Sequence, residues 1–211
     1  MKMKTTYSLG EAIELGIDEA GRGCFWGPIF AGAVIWPVEE EWTDKHREIA
    51  PKINDSKKIS EKKRDSIAEA IKGCATDWGV GKVEASEIDE NGMTWANQEA
   101  FRRAMSACTS GLKPTLLLID GILGLPSDEI KFQCIAGGDG LYLPIAAASI
   151  LAKVSRDTFV KEWSSLEENK NIAEQYGLLK NKGYGTAKHR EGLKEHGPHE
   201  MHRKQFIRNW I

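Results

Sequence analysis

The sequence predicts an α/β fold, a mixed β-sheet flanked by helices, with a helical and basic C-terminal part over about 160–211. Two observations carry this prediction. Strand-like apolar runs come first and are then followed by strand–helix alternation, the order expected of a mixed sheet. The strongest run, Thr115-Leu116-Leu117-Leu118-Ile119-Asp120-Gly121, is apolar almost throughout, as a buried central strand should be, and ends on an acid.

The other elements follow in order. Leu15 to Asp18 forms a first strand and Ile29 to Trp36 a second, ended by Pro37, with a glycine loop between them that suits a hairpin-like connection. Ser60 and Glu61 open a capped helix carrying Ile67, Ala68, Ala70 and Ile71, which Gly73 ends. Trp78 to Val83 is a third strand. Ser86 opens a helix through Trp95, Ala96, Phe101, Ala104 and Met105, whose spacing turns one apolar face inward. Phe132 to Ala136 gives a short strand before Gly137-Gly138-Asp139. Pro144 then starts a long helix through Ile145, Ile150 and Val154 towards Trp163 and Leu166. Trp95 and Trp163 read as core. Neither an internal repeat nor a low-complexity linker divides the chain, so 1–211 is expected to be one domain.

Composition narrows the class. The chain has 211 residues, 41% hydrophobic and 28% charged, which is ordinary for a soluble globular protein. No apolar run approaches the roughly 20 residues of a membrane helix. Cys24, Cys74, Cys108 and Cys134 are scattered without a Cys-x-x-Cys pair, which predicts free thiols and a cytoplasmic address. A net charge of −2 does not advertise a nucleic-acid binder. From Lys180 onward, however, Lys180, Lys182, Lys188, Arg190, Lys194, Arg203, Lys204 and Arg208 outnumber Glu191, Glu195 and Glu200. That end suits backbone contact, although a solvated face is the commoner meaning of such a run.

The chemistry-bearing stretch is Gly16-Ile17-Asp18-Glu19-Ala20-Gly21-Arg22-Gly23. Two acids close a strand, and the glycines beside them would let backbone approach a phosphodiester, with Arg22 adding a cation. The bland reading is a strand running into a polar turn. Asp120 and Asp139 end or follow other strands. If the first strand neighbours Thr115–Asp120, the carboxylates converge and raise each other's pKa. Mg²⁺ or Mn²⁺, which prefer oxygen ligands, would relieve that repulsion. Two such ions about 3.5–4 Å apart can activate water and stabilise a leaving oxygen. Asp157 reads as structural, pairing with Arg156 or a neighbouring loop. His196, His199 and His202 are spaced by three, but Pro198 interrupts any helix and no cysteine is near, so zinc is not expected. His202-Arg203 reads as packing or backbone contact.

Several ordered blocks carry a family resemblance. Gly16 to Gly23, with Gly27-Pro28 and Ala31-Gly32-Ala33-Val34, resembles the opening of ribonuclease HII, a type 2 ribonuclease H. Asp55-Ser56-Lys57-Lys58-Ile59-Ser60, Leu118-Ile119-Asp120-Gly121, Gly138-Asp139 and Ala147 to Asp157 follow in that family's order. Lys182-Gly183-Tyr184-Gly185-Thr186, His189, Gly197-Pro198 and His202-Arg203 complete it, so the likeness runs from Leu15 to Phe206.

The resemblance implies a ribonuclease H-like sheet and an endoribonuclease acting on RNA–DNA hybrids and 5′ to single ribonucleotides in duplex DNA, leaving 3′-hydroxyl and 5′-phosphate ends. It implies that Asp18, Glu19, Asp120 and Asp139 bind two divalent ions, Mg²⁺ or Mn²⁺, and are catalytic. Gly21, Arg22 and Gly23 would grip the 2′-hydroxyl and phosphate at an RNA–DNA junction, and Tyr184 would pack on the following deoxyribose. Lys57, Ser149 and Lys153 would contact phosphate. A monomer is expected, with neither an amino-terminal hybrid-binding extension nor a clamp-binding tail after Ile211. Two departures stand out: Gly137 replaces the family's usual lysine, and Tyr142-Leu143-Pro144 replaces its tyrosine–proline pair. A nuclease with another phosphodiester target, or a non-catalytic hybrid-binding module, remains the rival reading.

Overall fold

The computed structural model describes residues 3–8, 12–56, 59–125 and 130–211. Strands β1 (Glu14–Ala20), β2 (Ile29–Ile35), β3 (Asp77–Val83), β4 (Leu116–Asp120) and β5 (Lys131–Ile135) make one sheet in the order β3-β2-β1-β4-β5. β1 and β2 form the antiparallel hairpin expected of the glycine loop, and β3 adds antiparallel to β2. β4 lies parallel to β1, and β5 parallel to β4. The sheet is therefore mixed.

Alternation along the strands sorts side chains to two faces. Leu15, Ile17, Ala31, Ala33, Leu117 and Ile119 pack against helix α4 (Met93–Ser106) through Ala100, Phe101 and Ala104. The opposite face is covered by α5 (Leu143–Ser165), which is buried along its whole first half. Behind α5 lie α1 (Asp44–Ile49) and α2 (Glu61–Cys74), contributing Ile49, Ile67 and Ile71. Ala146, Ala147 and Ala148 let the helix backbone approach the sheet closely. A Cβ on Gly32 would stand 2.2 Å from the Ala148 carbonyl oxygen.

Local expectations needed two corrections. The helix predicted from Ser86 to Met105 is two helices, α3 (Ala85–Asn91) and α4, broken at Gly92 with φ of 86°. Ser60 holds the N-cap position of α2, but its side chain makes no capping hydrogen bond.

Beyond α5 come α6 (Lys170–Tyr176), α7 (Leu178–Asn181), α8 (Ala187–His196) and α9 (Lys204–Ile207). They enclose an apolar cluster of their own around Trp26, with Val160, Tyr176, Leu193 and Ile207. Trp163 meets Trp26 edge-on at 4.7 Å, so it is core as read, and Trp95 packs on the α4-side cluster. Trp26 belongs to the glycine loop after β1. The C-terminal helices thus pack on the segment that leaves the acidic strand end.

Because nothing soft faces Gly32, Gly32→Ala should destabilise the fold by about 1–3 kcal/mol, the usual scale of overpacking. Urea unfolding of both proteins measures this, and an unchanged midpoint would contradict the close approach.

Candidate active site

The parallel register of β1 and β4 pairs Gly16 with Leu118 and Ile17 with Ile119, so the next row brings Asp18 beside Asp120. Asp18 lies on the α5 face and is 6% exposed. Its carboxylate accepts the Glu19 N–H at 2.7 Å and a hydrogen bond from the Ser149 hydroxyl on α5. Ser149 is itself buried, with its oxygen 3.1 Å from that of Ser56. Asp139 sits buried in a short 3-10 turn, Gly138–Gly140, and its N–H donates to Asp120 Oδ1 at 3.4 Å. Glu19 faces the Arg22 guanidinium at 3.9 Å.

Burial pushes the Asp18 carboxyl well above the ordinary carboxylate range, and the Glu19 and Asp120 charges push it further. The hydrogen bonds from Ser149 and the Glu19 N–H only partly offset this. Among the described residues, no three His, Cys, Asp or Glu side chains already form a closed metal-ligand set. Asp18, Glu19 and Asp120 nevertheless lie close enough for their charges to act on one another, and Asp139 is linked to Asp120 through its backbone N–H. An all-oxygen, negatively charged donor set suits a hard divalent cation.

The glycine loop is built by two buried arginines: Arg203, read above as packing or backbone contact, and Arg156, whose place here the sequence reading did not anticipate. At Gly21, with φ of 89°, a Cβ would collide with Arg156 Nε at 2.0 Å. Arg156 donates to the carbonyls of Trp26 (3.2 Å), Pro28 (3.3 Å) and Lys182 (2.6 Å). Arg203 donates to those of Gly21 (2.7 Å), Arg22 (2.9 Å) and Gly27 (2.9 Å). Arg22 and Gly23 are left exposed.

Tyr184 comes to the same place. The Phe25 N–H donates to the Gly183 carbonyl at 2.9 Å, and the Tyr184 hydroxyl hydrogen-bonds the Cys24 thiol. The ring is 41% exposed, with Arg156 and Lys153 5.7 and 5.9 Å from its centroid. Burial pushes its phenol up to about 12, so it stays neutral.

Asp157 is structural, but its partner is not Arg156, whose donors go to backbone carbonyls. It accepts from Lys153 Nζ at 2.7 Å and Arg64 at 3.4 Å. Lys153 is thereby engaged within the protein. Lys57 lies outside the described residues. The histidines form no ladder: His199 Nδ1 accepts the Met201 N–H, whereas His202 Nε2 meets His189 Nε2 at 2.9 Å. His202 Nδ1 accepts the His199 N–H, so its Nε2 carries the proton and donates to His189, whose Nδ1–H donates to the Tyr184 carbonyl. That single tautomer set satisfies both rings only while both are neutral. Burial accordingly pushes His189 down to about 4 and His202 to about 3.

A mixed sheet of this order, with acids gathered at the adjoining ends of β1 and β4, is the frame of a ribonuclease H-type nuclease. The sequence model of the family described as Ribonuclease HII matches residues 15–209. A Ribonuclease HII from Caldanaerobacter subterraneus is 41% identical over 204 residues, covering 97% of this chain and 78% of its own. Another, from Parabacteroides distasonis, is 43% identical over 194 residues, covering 92% and 89%. The ribonuclease H2 of Pyrococcus horikoshii shares the fold with a TM-score of 0.72 at 24% identity, over 93% of this chain and 96% of that one. The chain belongs to the ribonuclease HII family, and with it to the ribonuclease H endonucleases.

The histidine pair gives a pH dependence with a definite sign. Both rings take up protons near pH 6.5 when unfolded but far lower when folded, so their contribution is full above about 6.5 and is lost as pH falls below it. In Asp18→Asn, which lacks the opposing gain from the raised Asp18 carboxyl, urea midpoints should decline between about pH 6.5 and 5, before most carboxylates titrate. A flat profile there would contradict the neutral buried pair.

Proposed function

We propose that this endoribonuclease cuts not only the RNA strand of RNA–DNA hybrids but also duplex DNA on the 5′ side of a single embedded ribonucleotide, leaving 3′-hydroxyl and 5′-phosphate ends, in the removal of ribonucleotides from DNA. One observation carries the reading. The exposed Arg22–Gly23 corner and the Tyr184 ring are tied together through the Phe25–Gly183 hydrogen bond and the Arg156 carbonyl contacts, next to the acidic strand end.

The 2′-hydroxyl is the sugar feature that distinguishes RNA from DNA at one position. Backbone N–H groups of Gly21, Arg22 and Gly23 can bond it, while the Arg22 side chain meets the phosphate. The Tyr184 hydroxyl is held by Cys24, which fixes the ring to cover a sugar lacking that hydroxyl. Asp18, Glu19, Asp120 and Asp139 would hold two divalent cations, Mg²⁺ or Mn²⁺. When bound, these supply Lewis-acid activation of water and charge relief at the leaving oxygen. Ser149 fits the orientation of Asp18 better than a phosphate contact, since it is buried between Ser56 and that carboxylate. Lys153, one-fifth exposed over Tyr184, and Lys57 are assigned to phosphate. Free cysteines support a cytoplasmic address, and we take the protein to act as a monomer. No helix among the described residues is long and apolar enough to cross a membrane.

The test is a DNA duplex holding one ribonucleotide, incubated with Mg²⁺ or Mn²⁺, with the cut mapped at nucleotide resolution. A cut 5′ to the ribonucleotide that Asp120→Asn lowers by about 10³-fold or more is expected; no cut, or one indifferent to Asp120→Asn, refutes the assignment. Tyr184→Ala should cost single-ribonucleotide cutting about tenfold, the scale of one stacking contact, and hybrid cutting less. Equal loss on both substrates would remove Tyr184 from junction reading.

A further inference from the structure

The loop from Gly21 to Pro28 is threaded between two segments of the C-terminal extension. On one side the N–H groups of Phe25 and Trp26 donate to the Gly183 carbonyl at 2.9 and 3.3 Å. On the other, Gly27 N–H donates to Met201 O at 2.9 Å, Arg203 N–H donates to Phe25 O at 2.8 Å, and Trp26 bridges His202 antiparallel. The His189–His202 contact joins the two segments, since His189 also holds the Tyr184 carbonyl.

Arg203 is fully buried; its Nε and Nη1 donate to backbone carbonyls of the glycine loop, and its buried Nη2 has no hydrogen-bond partner among the described residues. Burying a guanidinium for this purpose is costly because its charge is desolvated and donates only to neutral carbonyls; an apolar residue would serve packing as well without that cost. The geometry supplies a reason. In a trans peptide the N–H points opposite to the preceding C=O. With the Gly21 and Arg22 carbonyls drawn to Arg203, the N–H groups of Arg22 and Gly23 are aimed the other way, at the exposed corner. Arg190 acts similarly on the facing loop. Its Nε donates to the Gly185 carbonyl at 2.8 Å, its guanidinium lies 4.5 Å over the Trp210 ring, and Phe25 fills the space beside Gly185.

We propose that Arg203 and Arg190 are positioning residues: from the C-terminal extension they aim the Arg22 and Gly23 N–H groups and set their separation from Tyr184, and so determine how strongly the enzyme prefers a lone ribonucleotide junction to a continuous hybrid. The inference rests on the junction-reading function proposed above. A long hybrid presents a ribonucleotide in every register and tolerates a misaimed loop. A single embedded ribonucleotide presents one register and does not, since small misplacements of positioning groups cost large factors in rate.

The test compares kcat/KM on a single-ribonucleotide duplex with kcat/KM on a long RNA–DNA hybrid, for the wild type, Arg203→Lys and Arg190→Ala. Arg203→Lys keeps the cation but loses the guanidinium fork; Arg190 is half-buried, so its truncation spares the core. The ratio of the two kcat/KM values should fall about tenfold in Arg203→Lys, the scale of one charge-assisted hydrogen bond. In Arg190→Ala it should fall by at least about threefold, for one bond at a less buried site. A merely structural role lowers both substrates together, and a ratio within about threefold of wild type in Arg203→Lys overturns the proposal. If Arg203→Lys does not fold by circular dichroism, the same threshold is applied to Arg190→Ala. A wild-type protein that never cuts at the lone ribonucleotide instead refutes the junction-reading function, a result obtained before any variant is compared.

Discussion

Carboxylate crowding at the adjoining ends of β1 and β4 is the constraint to which the rest of this structure answers. A parallel neighbour is required to bring Asp120 beside Asp18, and this explains why the sheet departs from hairpin pairing at that point. Helix α5 then buries Asp18 under Ser149, which shifts its carboxyl upward because neither desolvation nor the neighbouring charges are fully compensated by hydrogen bonds. Burying a charged carboxylate here costs stability, and a bound cation of the kind proposed would offset that cost. Sites of this kind are where functional proteins depart from the most stable sequence.

The second half of the site follows from how the chain leaves β1. The Gly21–Pro28 loop has few side chains with which to fix its own shape. Its conformation is imposed by Arg156 from α5, by Arg203, and by backbone bonds to Gly183 and Met201. The helices after α5 therefore do more than cover apolar surface. That part of the chain supplies Tyr184 and most of the hydrogen bonds that shape the loop opposite it, while the apolar cluster around Trp26 anchors both. The acids at the end of β1 and the exposed Arg22–Gly23 corner are neighbours because the same loop connects them.

Much of this was legible in the sequence, for identifiable physical reasons. The run Thr115–Asp120 is apolar enough to be a central strand, so the strands and the acids at their ends could be read from hydrophobic pattern. The β1–β4 pairing that brings the acids together was only a condition there, and their shared role came from the resemblance. The break at Gly92 was concealed because apolar spacing continues across it from α3 into α4, although Asn91-Gly92 is a turn signal. Arg203 could be read as a packing or backbone-contact residue, but which segment the two arginines clamp was not legible. Arg203 and Gly21 are 182 residues apart and meet through a backbone carbonyl, an acceptor every residue carries. Asp157 was rightly read as structural; its partner Lys153 stands four residues earlier on the same helix, within reach of local spacing. Arg64, its second partner from α2, lies 93 residues away, and no local spacing points to it. The neutral His189–His202 pair is likewise a product of tertiary burial.

That folding disfavours the charged form of Asp18, and that a bound cation would relieve this, is tested most directly by thermal melting of the wild type and Asp18→Asn at neutral pH, with and without Mg²⁺. In chelator the isosteric amide removes a charge that folding disfavours, so the variant should melt higher than the wild type. Mg²⁺ should then raise the wild-type midpoint by binding the folded state, and raise that of Asp18→Asn much less. A variant that melts at or below the wild type in chelator, and gains as much from Mg²⁺, would contradict the account.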